Sequence, residues 1–198
     1  IAIREPGRVD FRSSSDDGSI VWIGGTMVVN NDGSHGAPGP APDGSAFFPA
    51  AGLYPIEVSY YNGDWVSDDG TEHGGANIEF TSNGGQIATA DLYPADYLGI
   101  PLIMATTASE IPSEDGTGLA GRYWQRDVKS LTGLIGDGQD IIESVAPDAR
   151  FTSTRLNYSD TRGDGVARND LTPIIDWLGS DAASLDPLDA SGNMDEGL

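Results

Sequence analysis

Glycine, proline and other turn-forming residues recur throughout the first half of this chain. They limit its extended segments to short lengths. The 198 residues include 27 glycines and 12 prolines, and apolar runs between them hold β-branched and aromatic side chains, as strands do. Repeated short strands separated by turn residues predict an antiparallel sandwich or barrel. The predicted strands are Arg8–Ser14, Ile20–Ile23, Thr26–Val29, Ala46–Phe48, Leu53–Tyr61 and Ala76–Thr81. Gly24-Gly25 predicts a hairpin between the second and third of these, and Asp64–Gly75 is predicted to be a polar loop.

The second half of the chain has a more mixed pattern. Asp140–Val145 and Leu171–Leu178 are predicted as short helices, and Gly179 suits the C-terminal cap of the second one. Phe151–Tyr158 alternates between polar and apolar residues as a strand does. Ile100–Thr117 separates the halves and is rich in Thr, Ser, Pro and acidic residues, so it is predicted to be a linker.

The charge of the chain excludes several classes of partner. Acidic residues outnumber basic ones by 31 to 10, and the formal net charge is −21. Nucleic acid is not an expected partner because phosphate binding requires a basic surface. Membrane insertion is not expected either, since the longest apolar run, around Ile100 to Ala105, is too short to span a bilayer. So acidic a chain attracts divalent cations.

Two stretches carry motifs in a specific order. Gly7–Gly36 reads GRVDFRSSSDDGSIVWIGGTMVVNNDGSHG, and Ala50–Trp65 reads AAGLYPIEVSYYNGDW. Together they resemble the PA14 domain, a secreted β-sandwich found in bacterial adhesins, glycosidases, toxins and yeast flocculins. The resemblance implies a mostly β fold, a PA14-type antiparallel β-sandwich with a few short helices, located outside the cell or at its surface.

The order of the segments departs from that family. Gly118–Trp124, Phe151–Tyr158 and Leu171–Leu185 look like the segments that open a PA14 domain, yet here they come last. Residues 118–198 therefore resemble the N-terminal half of the domain and residues 1–99 its C-terminal half, with 100–117 as a linker or inter-repeat segment. Reading the end of the chain into its start, SGNMDEGL-IAIREPGRVDF, yields one uninterrupted family segment.

This permuted order has three explanations. The chain is one period of a covalent tandem repeat, a subunit that exchanges strands with its neighbours, or a permutant that folds as a monomer. The first two predict a structural repeat unit of an extracellular filament or giant surface adhesin, assembled head to tail from neighbouring copies. They also predict that a fold closed within one copy is not seen. Because Ile1 is not an initiator methionine, a leader or a longer chain is expected before it.

The resemblance also implies a calcium site. In the sugar-binding members of the family, an Asp-Asp pair joined by a cis peptide holds Ca²⁺, which binds vicinal hydroxyls of a sugar. Asp16 and Asp17 match that pair, and Asn62 matches an amide ligand in a second loop. The alternative function is thus a calcium-dependent, carbohydrate-binding module of an adhesin or secreted glycosidase, with surface glycans as partners. The residues expected to contact the sugar are Trp65, Asp64 and His35.

The same residues also have simple structural explanations. Asp-Asp-Gly is a common hairpin turn, and Asn62 is equally suited to form a turn. Catalysis is not predicted, because the sequence contains no nucleophile elbow, phosphate-binding loop or metalloprotease motif. With two histidines and no cysteine, a zinc site is not expected.

Overall fold

The computed structural model describes residues 1–36, 43–62, 65–66, 72–73, 77–94, 110–124, 130–132, 145–159 and 177–187. Within these ranges the protein is mostly β, with antiparallel sheets, which confirms the predicted fold class. Short 3-10 helices cover Thr89–Asp91 and Gly179–Ser184. The strands are β1 (Ala2–Ile3), β2 (Gly7–Asp16), β3 (Ser19–Ile23), β4 (Thr26–Asn31), β5 (Asp43–Phe48), β6 (Gly52–Leu53), β7 (Ile56–Tyr60), β8 (Trp65–Val66), β9 (Glu72–His73), β10 (Asn77–Ser82), β11 (Gly85–Gln86), β12 (Leu119–Tyr123), β13 (Ala149–Ser153), β14 (Asn157–Ser159) and β15 (Asp186–Pro187).

Two sheets formed by the first half of the chain face each other. One has the strand order β11-β10-β2-β5, and the other has the order β4-β3-β7. The predicted hairpin of β3 and β4 is confirmed, with Gly24 at φ +58° and Gly25 at φ +75° in its turn. Both φ angles lie in the left-handed region that glycine adopts at little cost.

The core between these sheets is aromatic. Phe11 on β2 stacks on Phe80 on β10, with ring centroids 5.6 Å apart, and Phe48 contacts Tyr54 edge to face at 4.6 Å. The strands β4 and β5 approach closely beside this core, because a Cβ at Gly44 would lie 1.6 Å from the carbonyl oxygen of Val28. The buried members of this cluster come from both sheets and from the start of the chain: Ile1, Ile3, Phe11, Val21, Ile23, Val29, Phe48, Tyr54 and Phe80.

The second half forms a smaller sheet with the order β12-β13-β15. The single strand predicted over Phe151–Tyr158 is wrong, because β13 and β14 belong to different sheets. Asp181 holds the corner between them: its carboxylate accepts hydrogen bonds from Thr154 N (3.0 Å), Thr154 Oγ1 (2.6 Å) and the Tyr158 hydroxyl (2.7 Å). This corner redirects the chain so that β14 leaves the small sheet.

The two halves associate within one chain. Strand β14 pairs antiparallel with β10, placing Tyr158 opposite Ile78. These two side chains and Leu178 form a buried cluster. This structure holds one copy, in which the two halves pair with each other, and completion by a neighbouring copy stays a prediction. Leu198 lies outside the described residues, so its junction with Ile1 stays a prediction.

Three further sequence predictions differ in detail from the structure. The strand predicted over Leu53–Tyr61 is two strands, β6 and β7, separated at Tyr54-Pro55. The polar loop predicted around Asp64–Gly75 contains the short ladder of β8 and β9. The last part of the predicted linker packs on its own chain, because Gly116 N donates to Ala90 O (3.0 Å).

The predicted helices fall largely outside the described residues. Trp177 and Leu178 are helical, and Gly179 has the predicted positive φ of +59°. A 3-10 helix begins at Gly179, so the helical path continues through this glycine and does not end at it. Residues 140–144 and 171–176 lie outside the described ranges.

Candidate cation site at the end of β2

Strands β2 and β3 are joined by the turn that contains the predicted Asp pair. Strand β2 ends at Asp16 and β3 begins at Ser19, leaving Asp17 and Gly18 between them. The peptide bond between Asp16 and Asp17 is cis, as predicted. The turn thus brings two adjacent carboxylates to one end of the sandwich.

The carboxylate of Asp17 is fixed by the loop that follows β4. Its Oδ1 accepts hydrogen bonds from Ser34 Oγ (3.0 Å) and from the backbone N–H of His35 (2.8 Å). Asp17 is 6% exposed. Donors aimed at a buried carboxylate hold its orientation.

Asp16 is held through its backbone. The Tyr60 hydroxyl donates to the carbonyl oxygen of Asp16 at 2.5 Å. The Tyr60 ring stacks on Trp177, with centroids 5.4 Å apart and planes 9° from parallel. A residue of the second half therefore supports the tyrosine that contacts this turn.

Asn62 lies on the segment beside the same turn. Strand β7 pairs with β3, placing Tyr60 opposite Ser19, and the next residue, Tyr61, donates its N–H to Gly18 O (3.0 Å). Asn62 follows directly and is exposed. The register thus places Asn62 on the segment that is bonded to the turn, and its role as a ligand in the second loop stays a prediction.

A buried hydroxyl network lies beneath the turn. Ser19 Oγ is within hydrogen-bond distance of Ser13 Oγ (2.6 Å) and Ser15 Oγ (2.8 Å), and Asn31 Nδ2 donates to Ser15 Oγ (2.9 Å). All three serines are fully buried, and Asn31 is 2% exposed. Directional bonds between buried polar groups specify one arrangement of the surrounding backbone.

Two buried acceptors near the turn have no hydrogen-bond partner in the described part of the chain. They are Asn31 Oδ1 and His35 Nδ1. The Nε2 atom of His35 lies 3.1 Å from Asn31 O, so in the neutral ring this nitrogen carries the proton and Nδ1 has the lone pair.

Asp32 connects this loop to a distant part of the chain. Its carboxylate accepts hydrogen bonds from Leu131 N (2.7 Å), Ser130 Oγ (2.7 Å), Thr132 N (3.1 Å) and Thr132 Oγ1 (2.8 Å). Burial acts to raise the pKa of Asp32, but these hydrogen bonds outweigh it and the pKa is lowered. Asp32 is therefore ionised at neutral pH and anchors Ser130–Thr132 to this loop.

The structure describes the surroundings of some predicted site residues and not of others. Asp16, Asp17 and Asn62 lie on neighbouring segments, and His35 reaches Asp17 through its backbone N–H. Trp65 belongs to β8, where only the backbone is described, and Asp64 lies outside the described residues.

Sequence reasoning missed the supporting residues of this turn. Asn31 and Asp32 belong to the acidic turn read as NNDG, and Ser34 follows them directly. Their polar character was visible in the sequence. Their partners were not, because Asp32 bonds to residues 98 to 100 positions away.

Groups of three or more His, Cys, Asp or Glu that could hold a metal ion are not found among the described residues. The predicted donor set is of another kind, with two carboxylates and one amide. Within the described ranges, no helix has the length and apolar character needed to cross a membrane. Comparisons with family models, curated proteins and solved structures find no match to this chain.

Proposed function

We propose that this chain is a calcium-dependent, carbohydrate-binding module with a PA14-type fold. The observation that supports this most directly is the Asp16-Asp17 pair in the turn between β2 and β3, with Asn62 on the segment that is hydrogen-bonded to this turn. Two adjacent carboxylates and an amide oxygen are the hard oxygen donors that Ca²⁺ prefers.

The surroundings of the pair fit a cation. The Asp17 carboxylate is held by hydrogen bonds from Ser34 and His35. Such donors orient a ligand before the metal arrives. In this proposal Asp16, Asp17 and Asn62 hold the ion, and the ion supplies open coordination positions for vicinal sugar hydroxyls.

Calorimetric titration of CaCl₂ into chelator-treated protein tests the cation site. We expect saturable binding to the natural chain and a loss of affinity of at least about tenfold in Asp17→Asn, because the variant removes a charged ligand. Asp43→Asn is the matched control, since Asp43 carries the same charge on β5 and its side chain is 79% exposed. A flat titration with the natural chain contradicts the proposal.

Glycan-array binding with and without Ca²⁺ tests the sugar. We expect the bound glycans to carry vicinal hydroxyls and to be lost both on chelation and in Asp17→Asn. Cation binding without any Ca²⁺-dependent glycan signal would restrict the role of the site to stabilising the fold.

A second candidate function is a repeat unit of an extracellular filament. It is supported by the joint between the halves, where β14 pairs with β10 and the cluster of Ile78, Tyr158 and Leu178 is buried. This joint connects segments that are far apart in the chain. The same contacts can form between copies, which is how strand exchange builds an assembly.

Molecular mass distinguishes the forms of this second candidate. Light scattering of the native material and a denaturing gel after chelation and boiling are to be compared. A covalent repeat is very large in both, whereas exchanged subunits are large when native and run near 20.7 kDa when denatured. Material of 20.7 kDa in both measurements contradicts a filament.

A further inference from the structure

The cation turn is supported on two sides by the second half of the chain. On one side, Trp177 stacks on Tyr60, whose hydroxyl donates to Asp16 O. On the other side, Ser130–Thr132 is bonded to Asp32. Neither contact involves the carboxylates of the predicted ligands, so both act on the site through the residues that surround it.

Asp32 lies directly against the turn. A Cβ placed on Gly18 would come within 3.1 Å of Asp32 Oδ1 and 2.9 Å of Gly33 N. Gly18 follows Asp17, so the Asp32 carboxylate packs against the residue next to the predicted ligand. This contact transmits any displacement of Asp32 to the turn, because a close-packed interior has little free space.

The loop that contains Asp32 also holds Asp17. Asp32 Oδ1 accepts a bond from Gly33 N (2.9 Å), and two and three residues after Asp32 the chain supplies Ser34 Oγ and His35 N to Asp17. One short loop therefore joins two carboxylates: Asp17, a predicted ligand, and Asp32, the anchor of the distant segment.

The anchored segment is packed as well as hydrogen-bonded. Leu131 is 1% exposed and forms a buried cluster with Ile20 and Tyr61, and Trp22 packs against that cluster. Tyr61 N donates to Gly18 O, so the cluster that contains Leu131 is hydrogen-bonded to the turn. Docking of Ser130–Thr132 and the position of the turn thus share both polar and apolar contacts.

We propose that Asp32 is a positioning residue of the cation site, through which Ca²⁺ binding at Asp16 and Asp17 and docking of Ser130–Thr132 support each other. This inference rests on the proposed calcium function and adds its dependence on the second half of the chain. Coupling between two binding events is reciprocal. The cation must therefore strengthen the docking of the segment as much as the docked segment strengthens cation binding.

Calcium titration of Asp32→Asn tests the first direction of this coupling. The variant keeps the size of the side chain, but it removes the charge and replaces an acceptor oxygen with an NH₂ group that faces the donors of Leu131 and Thr132. We expect its Ca²⁺ affinity to be about tenfold to a hundredfold weaker, the range seen when partners of metal ligands are removed. Asp43→Asn, which loses the same charge, controls for the change in overall field.

Amide hydrogen exchange tests the second direction. In the natural chain, CaCl₂ is expected to slow exchange of the Leu131 and Thr132 amides, which donate to Asp32. In Asp32→Asn the addition of CaCl₂ is expected to leave both rates unchanged. A purely structural role of Asp32 would not make these amides respond to the cation.

The outcomes distinguish the coupling through Asp32 from the calcium site on which it depends. If the natural chain and Asp32→Asn bind Ca²⁺ equally, the coupling is overturned and the calcium site stands. If the natural chain gives a flat titration, both are overturned. Should Asp32→Asn fail to fold, the double variant Ser130→Ala, Thr132→Val keeps Asp32 and removes two of its donors. Faster exchange at Leu131 with unchanged Ca²⁺ affinity in that variant also overturns the coupling.

Discussion

Strand β2 buries an aromatic side chain and, towards its C-terminal end, two serine hydroxyls on the same face. Phe11 lies in the aromatic core against Phe80, whereas Ser13 and Ser15 lie in the hydroxyl network with Ser19. All five are at most 1% exposed. Apolar burial is non-directional and stabilises the sandwich wherever the shape fits, whereas hydrogen bonds require each partner in place. The apolar end therefore contributes mainly stability, and the polar end holds the Asp16-Asp17 turn in one position.

Truncation of the aromatic core should have the largest effect on stability. Replacing Phe11 by Ala removes a fully buried ring and leaves a cavity, so we expect a loss of about 3–5 kcal/mol in the free energy of unfolding. Urea unfolding followed by fluorescence measures this loss. Ca²⁺ affinity measured well below the unfolding transition should stay within twofold. A large drop in affinity would show that the two ends of β2 are not separate in function.

The burial of Ile1 in the aromatic core also predicts that the stability of the fold depends on pH. In a chain that begins at Ile1, the α-amino group donates to Tyr54 O at 2.8 Å, and burial lowers its pKa from 8.0 to about 5. Between these values the unfolded chain binds more protons than the folded one. Stability should therefore rise from pH 5 to pH 8, with a slope that approaches about 1.4 kcal/mol per pH unit in the middle of the range.

The control for this prediction is a chain with one residue added before Ile1. The ammonium is then replaced by an amide that does not titrate, and other groups, including both histidines, are unchanged. The difference between the two stability profiles isolates the Ile1 amine. Equal slopes in the two chains would remove the basis for the lowered pKa.

A smaller loss is expected at the polar end. Ser19→Ala removes the hydroxyl shared by Ser13 and Ser15 and leaves both without that partner. We expect about 1–2 kcal/mol of destabilisation. In contrast to Phe11→Ala, we expect weaker Ca²⁺ binding by the folded protein. Ser45→Ala on the exposed side of β5 is the matched control. Unchanged affinity in Ser19→Ala would mean that the network does not hold the turn.

The smallest effect is expected from Ser34→Ala. It removes the hydrogen bond from Ser34 Oγ to Asp17 Oδ1, and the one from His35 N remains in place. Because Ser34 is exposed, the stability change should be under about 1 kcal/mol. Calorimetry should still detect Ca²⁺ binding that is weaker than in the natural chain. A variant as stable as the natural chain but with full affinity would show that His35 N alone orients Asp17.

Much of the local structure could be predicted from neighbouring residues in the sequence. The β3–β4 hairpin follows from Gly24-Gly25 between two β-rich runs, and β2 follows from the alternation that precedes Asp16. The cis peptide between Asp16 and Asp17 was expected only from the family resemblance, but the turn that contains it was placed correctly from Asp-Asp-Gly. These features depend on a few consecutive residues, so the information they require is local.

Long-range partners could not be predicted in this way. The run Phe151–Tyr158 alternates like one strand, yet Asp181 bonds to Thr154 and Tyr158 and divides it between two sheets. The alternation is the same whether the chain continues straight or bends. Only the position of a carboxylate more than twenty residues later decides between them.

The sequence by itself therefore determined the class of fold and the location of the paired carboxylates. Frequent turn residues break the chain into short strands, and Asp-Asp-Gly must lie in a turn between two of them. The tertiary structure decided what surrounds that pair: Ser34 and His35 on Asp17, Tyr60 on Asp16, and Ser130–Thr132 anchored at Asp32. The physical reason is that turns and strands follow from local backbone preferences, whereas a buried carboxylate finds its donors only after distant segments have packed together.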